Sequence, residues 1–200
     1  MDYLGAVLAM LGEPQDRYAD PAAWVRLEGG LGFALPADFK RLVDAYAPVV
    51  LNGHLYLLHP ATERWNLGEE IREDVRALSD VDWQEYELDP DPRLVLGVPE
   101  MCFGSADGLL PIASTDRSEK LFYGPGEDGT PCGRIFVEIG DDGFYPYDVT
   151  FSEWLYRWLT GDDLPGPDVR AFYPGPVAMQ WLPMAAGERP RVFYVPPRGM

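Results

Sequence analysis

Leu109-Leu110-Pro111-Ile112-Ala113, Lys120-Leu121-Phe122-Tyr123, Arg134-Ile135-Phe136-Val137-Glu138-Ile139 and Phe144-Tyr145 follow one another within residues 109–145. Each is a short apolar run, and clusters of Gly, Pro and Asp separate them, which is how strands are punctuated. Strands in such close succession leave no room for crossover helices, so they predict an antiparallel meander. Asp141-Asp142-Gly143 sits between the last two runs, and Asp-Gly is a strong hairpin turn. Just upstream, Leu94-Val95-Leu96 reads as one more short strand.

Helical patterns lie on both sides of the meander. Asp2 caps a stripe of Leu4, Val7, Leu8 and Leu11, and Gly12 ends it. Asp20 and Pro21 suit the cap and first position of a second helix carrying Trp24 and Leu27, which Gly29, Gly30 and Gly32 break. Pro36 opens a third, with Phe39, Leu42, Val43 and Tyr46 on one face and Pro48 as its stop. After the turn at Asn52-Gly53, residues His54 to His59 read as a buried strand. Asn66 caps a helix whose narrow apolar stripe is Leu67, Ile71, Val75 and Leu78. Beyond the meander, Thr150-Phe151-Ser152-Glu153 has capping-box spacing, and Trp154, Leu155, Trp158 and Leu159 continue an apolar helix to Gly161.

The predicted fold is therefore α+β: a central antiparallel sheet with helices at the N-terminus and a closing C-terminal helix. That domain spans residues 1–161. Residues 162–200 hold 8 of the 20 prolines yet keep Phe172, Tyr173, Trp181, Phe193 and Tyr194. They read as an extended, proline-rich extension packed on the domain.

Charge narrows the functions open to the chain. The net charge is −17 over 200 residues, and it falls within residues 1–161, because acids and arginines balance in the tail. Such a surface repels phosphate backbones and anionic lipids, which argues against nucleic acid and membrane as partners and favours a basic one. Cys102 and Cys132 are too few for a disulfide framework and read as reduced thiols. The N-terminal residues lack a basic signal-peptide region, and no apolar run is long enough to span a bilayer, so the predicted location is the cytoplasm.

No catalytic motif stands out. His54 and His59 fall on opposite faces of a strand, so they cannot share a metal. Ser105 lies in a turn-like stretch without a histidine nearby in sequence, and Gly124-Pro125-Gly126-Glu127-Asp128-Gly129 lacks the lysine of a phosphate loop. The expectation is a non-catalytic protein with no cofactor and no metal. Glu63 to Asp91 is different in kind: it holds 11 acids against Arg64, Arg72 and Arg76. A charged helix face of this sort either meets only water or docks a basic partner. The candidate docking residues are Glu69, Glu70, Glu73 and Asp74 on the helix, with Asp141 and Asp142 at the turn.

The order of motifs resembles the SUKH superfamily of bacterial immunity proteins. Leu35-Pro36-Ala37-Asp38-Phe39-Lys40 with Leu42-Val43-Asp44-Ala45-Tyr46 is similar to the opening helix of that family, and Asn52 to Pro60 to its sequel. Gly108 to Thr115 with Leu121-Phe122-Tyr123 resembles its paired central strands, and Tyr147 to Leu155 its final strand and closing helix. The resemblance covers residues 31–161. It departs at Ser114 to Glu119, where many relatives have a Gly-Asp turn. It implies an α+β fold without catalytic residues, and a cytoplasmic protein that binds and neutralises a bacterial toxin, with basic nuclease toxins among the partners. A regulatory or adaptor module on the same fold is the alternative.

Overall fold

Capping residues set most helix boundaries in the computed structural model, which describes residues 1–139, 143–161 and 176–195. Helix α1 (Tyr3–Leu11) begins where the Asp2 side chain accepts from the Gly5 N–H, and ends at Gly12. Helix α2 (Pro21–Leu31) starts behind Asp20, α3 (Ala37–Tyr46) behind Pro36, and α4 (Leu67–Ser79) behind Asn66. Helix α6 (Phe151–Thr160) starts where Thr150 accepts from the Glu153 N–H and stops at Gly161 in a left-handed conformation.

Two expectations about helices are overturned. Gly29 and Gly30 do not break α2, which runs through both to Gly32. A mid-helix glycine disfavours the helix by only about 1 kcal/mol, and the Asp20–Pro21 start outweighs that. Leu94-Val95-Leu96 is not a strand but part of α5 (Pro92–Leu96). Asp91 caps it, Pro92 takes the first turn, and Gly97 closes it at φ 68°. Three adjacent apolar residues carry no period, so the flanking Asp-Pro and Gly decide the conformation.

The strands are β1 (Val49–Leu51), β2 (Leu55–Leu57), β3 (Leu110–Thr115), β4 (Lys120–Gly124), β5 (Arg134–Glu138), β6 (Phe144–Tyr147), β7 (Ala178–Trp181) and β8 (Arg191–Tyr194). They form one antiparallel sheet in the order β6-β5-β4-β3-β2-β1-β7-β8. The fold is thus α+β, with α1 to α5 before the meander's first hairpin and α6 after its last strand. The predicted meander is β3 to β6. Strand β1 escaped the sequence reading because it is only three residues long and directly follows Pro48. The described part of the tail, residues 176–195, supplies β7 and β8, so it extends the sheet beyond β1. Phe172 and Tyr173 lie outside the described residues.

Alternation along β4 and β5 feeds two cores. Tyr123 pairs with Ile135 and Leu121 with Val137. These four join Phe39, Leu42 and Val43 of α3 and Phe151, Trp154 and Trp158 of α6 in the larger core. The intervening residues Phe122 and Phe136 face the other way, and with Phe144, Phe103, Leu109, Leu78 and Leu88 they make a second cluster. Helix α4, a 3₁₀ turn at Trp83–Glu85 and α5 cover that second face. Trp83 seals it, edge-on to Phe144 with ring centroids 5.6 Å apart. No helix among the described residues is long and apolar enough to cross a membrane.

Two outcomes test this packing. Trp158 is 2% exposed and stacks on Trp154 at 6.1 Å. Trp158→Ala should therefore destabilise the protein by about 3–5 kcal/mol in denaturant titration; an unchanged midpoint would remove α6 from the core. Deleting residues 176–200 should uncover the β1 edge and lower the melting temperature, since Met179 of β7 is buried in the main core. A truncated protein that melts like the full chain would show the two strands to be dispensable.

Candidate functional site

Helix α4 divides its four candidate acids between two surroundings. Glu69 and Glu73 point to solvent, while Glu70 and Asp74 are half-buried on the side toward the sheet. Asp74 is held by the Lys120 ammonium at 2.5 Å. Glu70 lines a narrow gap with Leu58, Ile71 and Pro111. Burial pushes the Glu70 carboxyl above its ordinary value, and the neighbouring Asp74 charge adds to the effect. Exposed Arg72 and Arg76 lie three residues beyond Glu69 and Glu73, so the outward face is mixed in sign. Asp141 and Asp142 lie outside the described residues; Gly143, which follows them, lies against Asp89 and Pro90.

The larger uncompensated charge lies just after α4. Residues 79–103 contain seven acids and one arginine. Asp80, Asp82, Glu85, Glu87, Asp89 and Glu100 are exposed. The seventh, Asp91, is tied to Arg93. Among them opens a cleft of about 350 Å³ whose walls include Val81, Trp83, Arg93, Met101 and Phe103. Two apolar side chains of the same segment stand in solvent: Tyr86, 44% exposed, and Leu94, 82% exposed.

This segment is firmly seated. Arg93 donates to the Trp83 carbonyl oxygen at 3.1 Å, and the Trp83 indole donates to that of Leu78 at 2.8 Å. The Phe144 N–H donates to the Pro90 carbonyl at 3.2 Å, joining the segment to β6. The result is a cleft with aromatic and thioether side chains in its walls and the carboxylates of Asp82 and Glu100 beside them, on a fixed support. The run of acids was visible in the sequence. Which of them face outward depends on how Trp83 and Phe103 pack.

Both histidines are buried ties rather than one site. His54 stacks on Trp158 with ring planes 4° apart and bonds Asp116 through Nδ1. Its Nε2 lies 3.4 Å from Glu119 Oε2, beyond a good hydrogen bond. Glu119 instead accepts from the Thr115 hydroxyl at 2.8 Å. His59 Nδ1 accepts from the Ala61 N–H, which places the ring proton on Nε2, 3.1 Å from Asp44 Oδ1. The Trp24 indole donates to the same oxygen at 2.8 Å. Burial lowers the His59 pKa, so the neutral ring is favoured. These contacts lock α2, α3 and α6 onto the sheet. No group of three His, Cys, Asp or Glu side chains among the described residues is arranged to hold a metal. Both cysteines are free thiols, and burial pushes that of Cys132 up to about 12.

Comparison with family models, with curated proteins and with solved structures finds no match.

Glu70 offers a test of the inward half of α4. Its folded pKa is raised, so the ionised form opposes folding, and that penalty disappears as the pH falls through the raised value. Glu70→Gln should raise the melting temperature at pH 7, and the gain should shrink on acidification. A gain that is absent, or constant across that range, would show that the carboxylate is not burdened by burial.

Proposed function

We propose that this chain is a non-catalytic binding protein that neutralises a basic bacterial toxin domain, acting in the cytoplasm as SUKH immunity proteins do and needing no cofactor. The observation that carries the reading is the segment 79–103, which has seven acids and one arginine and forms the Trp83 cleft, with Asp82 and Glu100 in its walls. A toxin that grips nucleic acid must present cations to phosphate, and carboxylates spaced on a rigid support can occupy the same cations. Long-range attraction speeds the encounter, while desolvated side chains at the centre of the contact set its lifetime. Here the rim is Asp80, Asp82, Glu85, Glu87, Asp89 and Glu100, and the exposed anchors are Tyr86 and Leu94.

The motif order supports the SUKH reading as well. The residues that carry the resemblance occupy α3, β2 with the turn before it, the β3–β4 pair and the passage from β6 into α6. Net charge opposes a nucleic-acid or anionic-membrane partner.

The test uses a purified toxin domain encoded beside this chain. Combined Glu85→Lys, Glu87→Lys and Asp89→Lys should slow association about tenfold or more, without lowering the melting temperature, because all three side chains are exposed. Glu69→Lys with Glu73→Lys should slow it less, because Arg72 and Arg76 already offset that face. Failure of the toxin to bind, or the reverse order of effects, would contradict the proposal.

A further inference from the structure

A second cleft, of about 370 Å³, opens on the opposite side of the sheet from Trp83. Its walls come from three places: Pro36 and Asp38 at the start of α3, Tyr123 of β4 with Cys132 of the following loop, and Asp148 to Glu153 at the start of α6. Two groups in it are incompletely partnered. Tyr123 is 2% exposed, yet its hydroxyl has no hydrogen-bond partner among the described residues. Tyr123 and Asp38 both line the cleft, and burial together with the Asp38 charge pushes the phenol well above its ordinary pKa.

Asp38 is the other group. One of its oxygens, Oδ2, accepts from the Ser152 N–H at 2.8 Å. No cation among the described residues lies within ion-pair distance of it, whereas Asp148 meets Arg134 and Glu153 meets Arg157. A buried phenol without a partner is costly to leave in place, and a carboxylate without a cation attracts one. A single group can satisfy both: a cation carrying several N–H donors in fixed geometry. Guanidinium has that geometry, whereas ammonium is a point charge. Pro36 and Val149 offer apolar wall for an aliphatic stem.

We propose that this cleft receives one arginine side chain of the basic partner, with the guanidinium between Asp38 and the Tyr123 hydroxyl. The inference rests on the binding function proposed above and names a specificity pocket for it. The pocket and the acidic segment both border β6: Asp148 follows that strand directly, and Pro90 bonds its first residue, so one partner can reach both.

The probe is N-acetyl-arginine-N-methylamide, with the citrulline analogue as its neutral isostere, titrated into the full chain and followed by amide NMR shifts. The arginine probe should shift resonances of Tyr123, Phe151 and Asp38, and the citrulline probe should not. Tyr123→Phe and Asp38→Asn should each weaken arginine binding about tenfold, as expected for losing one hydrogen bond to a charged group. Asn at position 38 still accepts from Ser152, so α6 keeps its start. Tyr123→Phe should leave the free protein at least as stable as the parent, because it removes an unpaired buried hydroxyl. A purely structural role for that hydroxyl would lower stability instead. No shift with the arginine probe, equal shifts with citrulline, or binding indifferent to both substitutions would overturn the pocket.

The two ideas separate cleanly. If the toxin binds and depends on Glu85, Glu87 and Asp89 but ignores Tyr123→Phe and Asp38→Asn, the pocket fails and the binding function stands. If the arginine probe binds as described and no basic toxin does, the pocket stands and the neutralising function fails.

Discussion

The sheet has apolar side chains on both faces, and most of the architecture follows from that. Phe122 and Phe136, paired across β4 and β5, project away from the helical layer that holds Tyr123 and Ile135. Two fully buried phenylalanines cannot be left to water, because each contributes about 1.5–3 kcal/mol only when covered. The chain therefore needs a second layer. Residues 79–103 provide it with Leu88, Phe103 and the ring of Trp83. A thin layer of this kind has one apolar side and one wet side, so its remaining positions are free to carry charge. The acidic surface is in this sense a product of the second core: the same segment that seals Phe122 and Phe144 presents Glu85, Glu87 and Asp89 outward.

Buried polar groups follow two patterns. Asp44, His59 and Trp24 form a closed set in which each donor has its acceptor, and a satisfied network of this type fixes how α2 and α3 sit on the sheet. The row Tyr123, Ile135, Tyr147 across β4, β5 and β6 is different, because both tyrosine hydroxyls lack partners among the described residues. Purely structural positions would be served as well by phenylalanine. Tyr123 also lines a cleft with Asp38, a carboxylate that has no ion pair among the described residues, and that juxtaposition is the basis of the proposed arginine pocket.

Local signals made much of this fold legible. Asp2, Asp20, Asn66 and Thr150 cap the helices they were expected to cap, and the four apolar runs between residues 109 and 145 are β3 to β6. Tertiary contacts decided the missed strands, and flanking helix signals decided the missed helix α5. Strand β1 is three residues whose identity as a strand depends on β2 and β7 on either side. Strands β7 and β8 follow the closing helix and add to the far edge, a long-range pairing that no local pattern encodes. Leu94-Val95-Leu96 has strand composition but sits between helix signals. The site was legible as charge and illegible as geometry. The density of acid between Glu63 and Asp91 was plain, but Lys120, forty-six residues from Asp74, decides that this carboxylate turns inward.

Charge that steers a partner is distinguished from charge that merely hydrates by its response to salt. The most direct measurement is the association rate of the unmodified chain with the basic toxin domain proposed as its partner, as ionic strength rises from about 0.05 M to about 0.5 M, a range over which screening shortens from beyond 10 Å to a few ångströms. The account predicts a steep fall in association with a far smaller change in dissociation, because exposed rim carboxylates act on the encounter. An association rate that stays flat across that range would show that the acidic layer over the second core serves solvation alone.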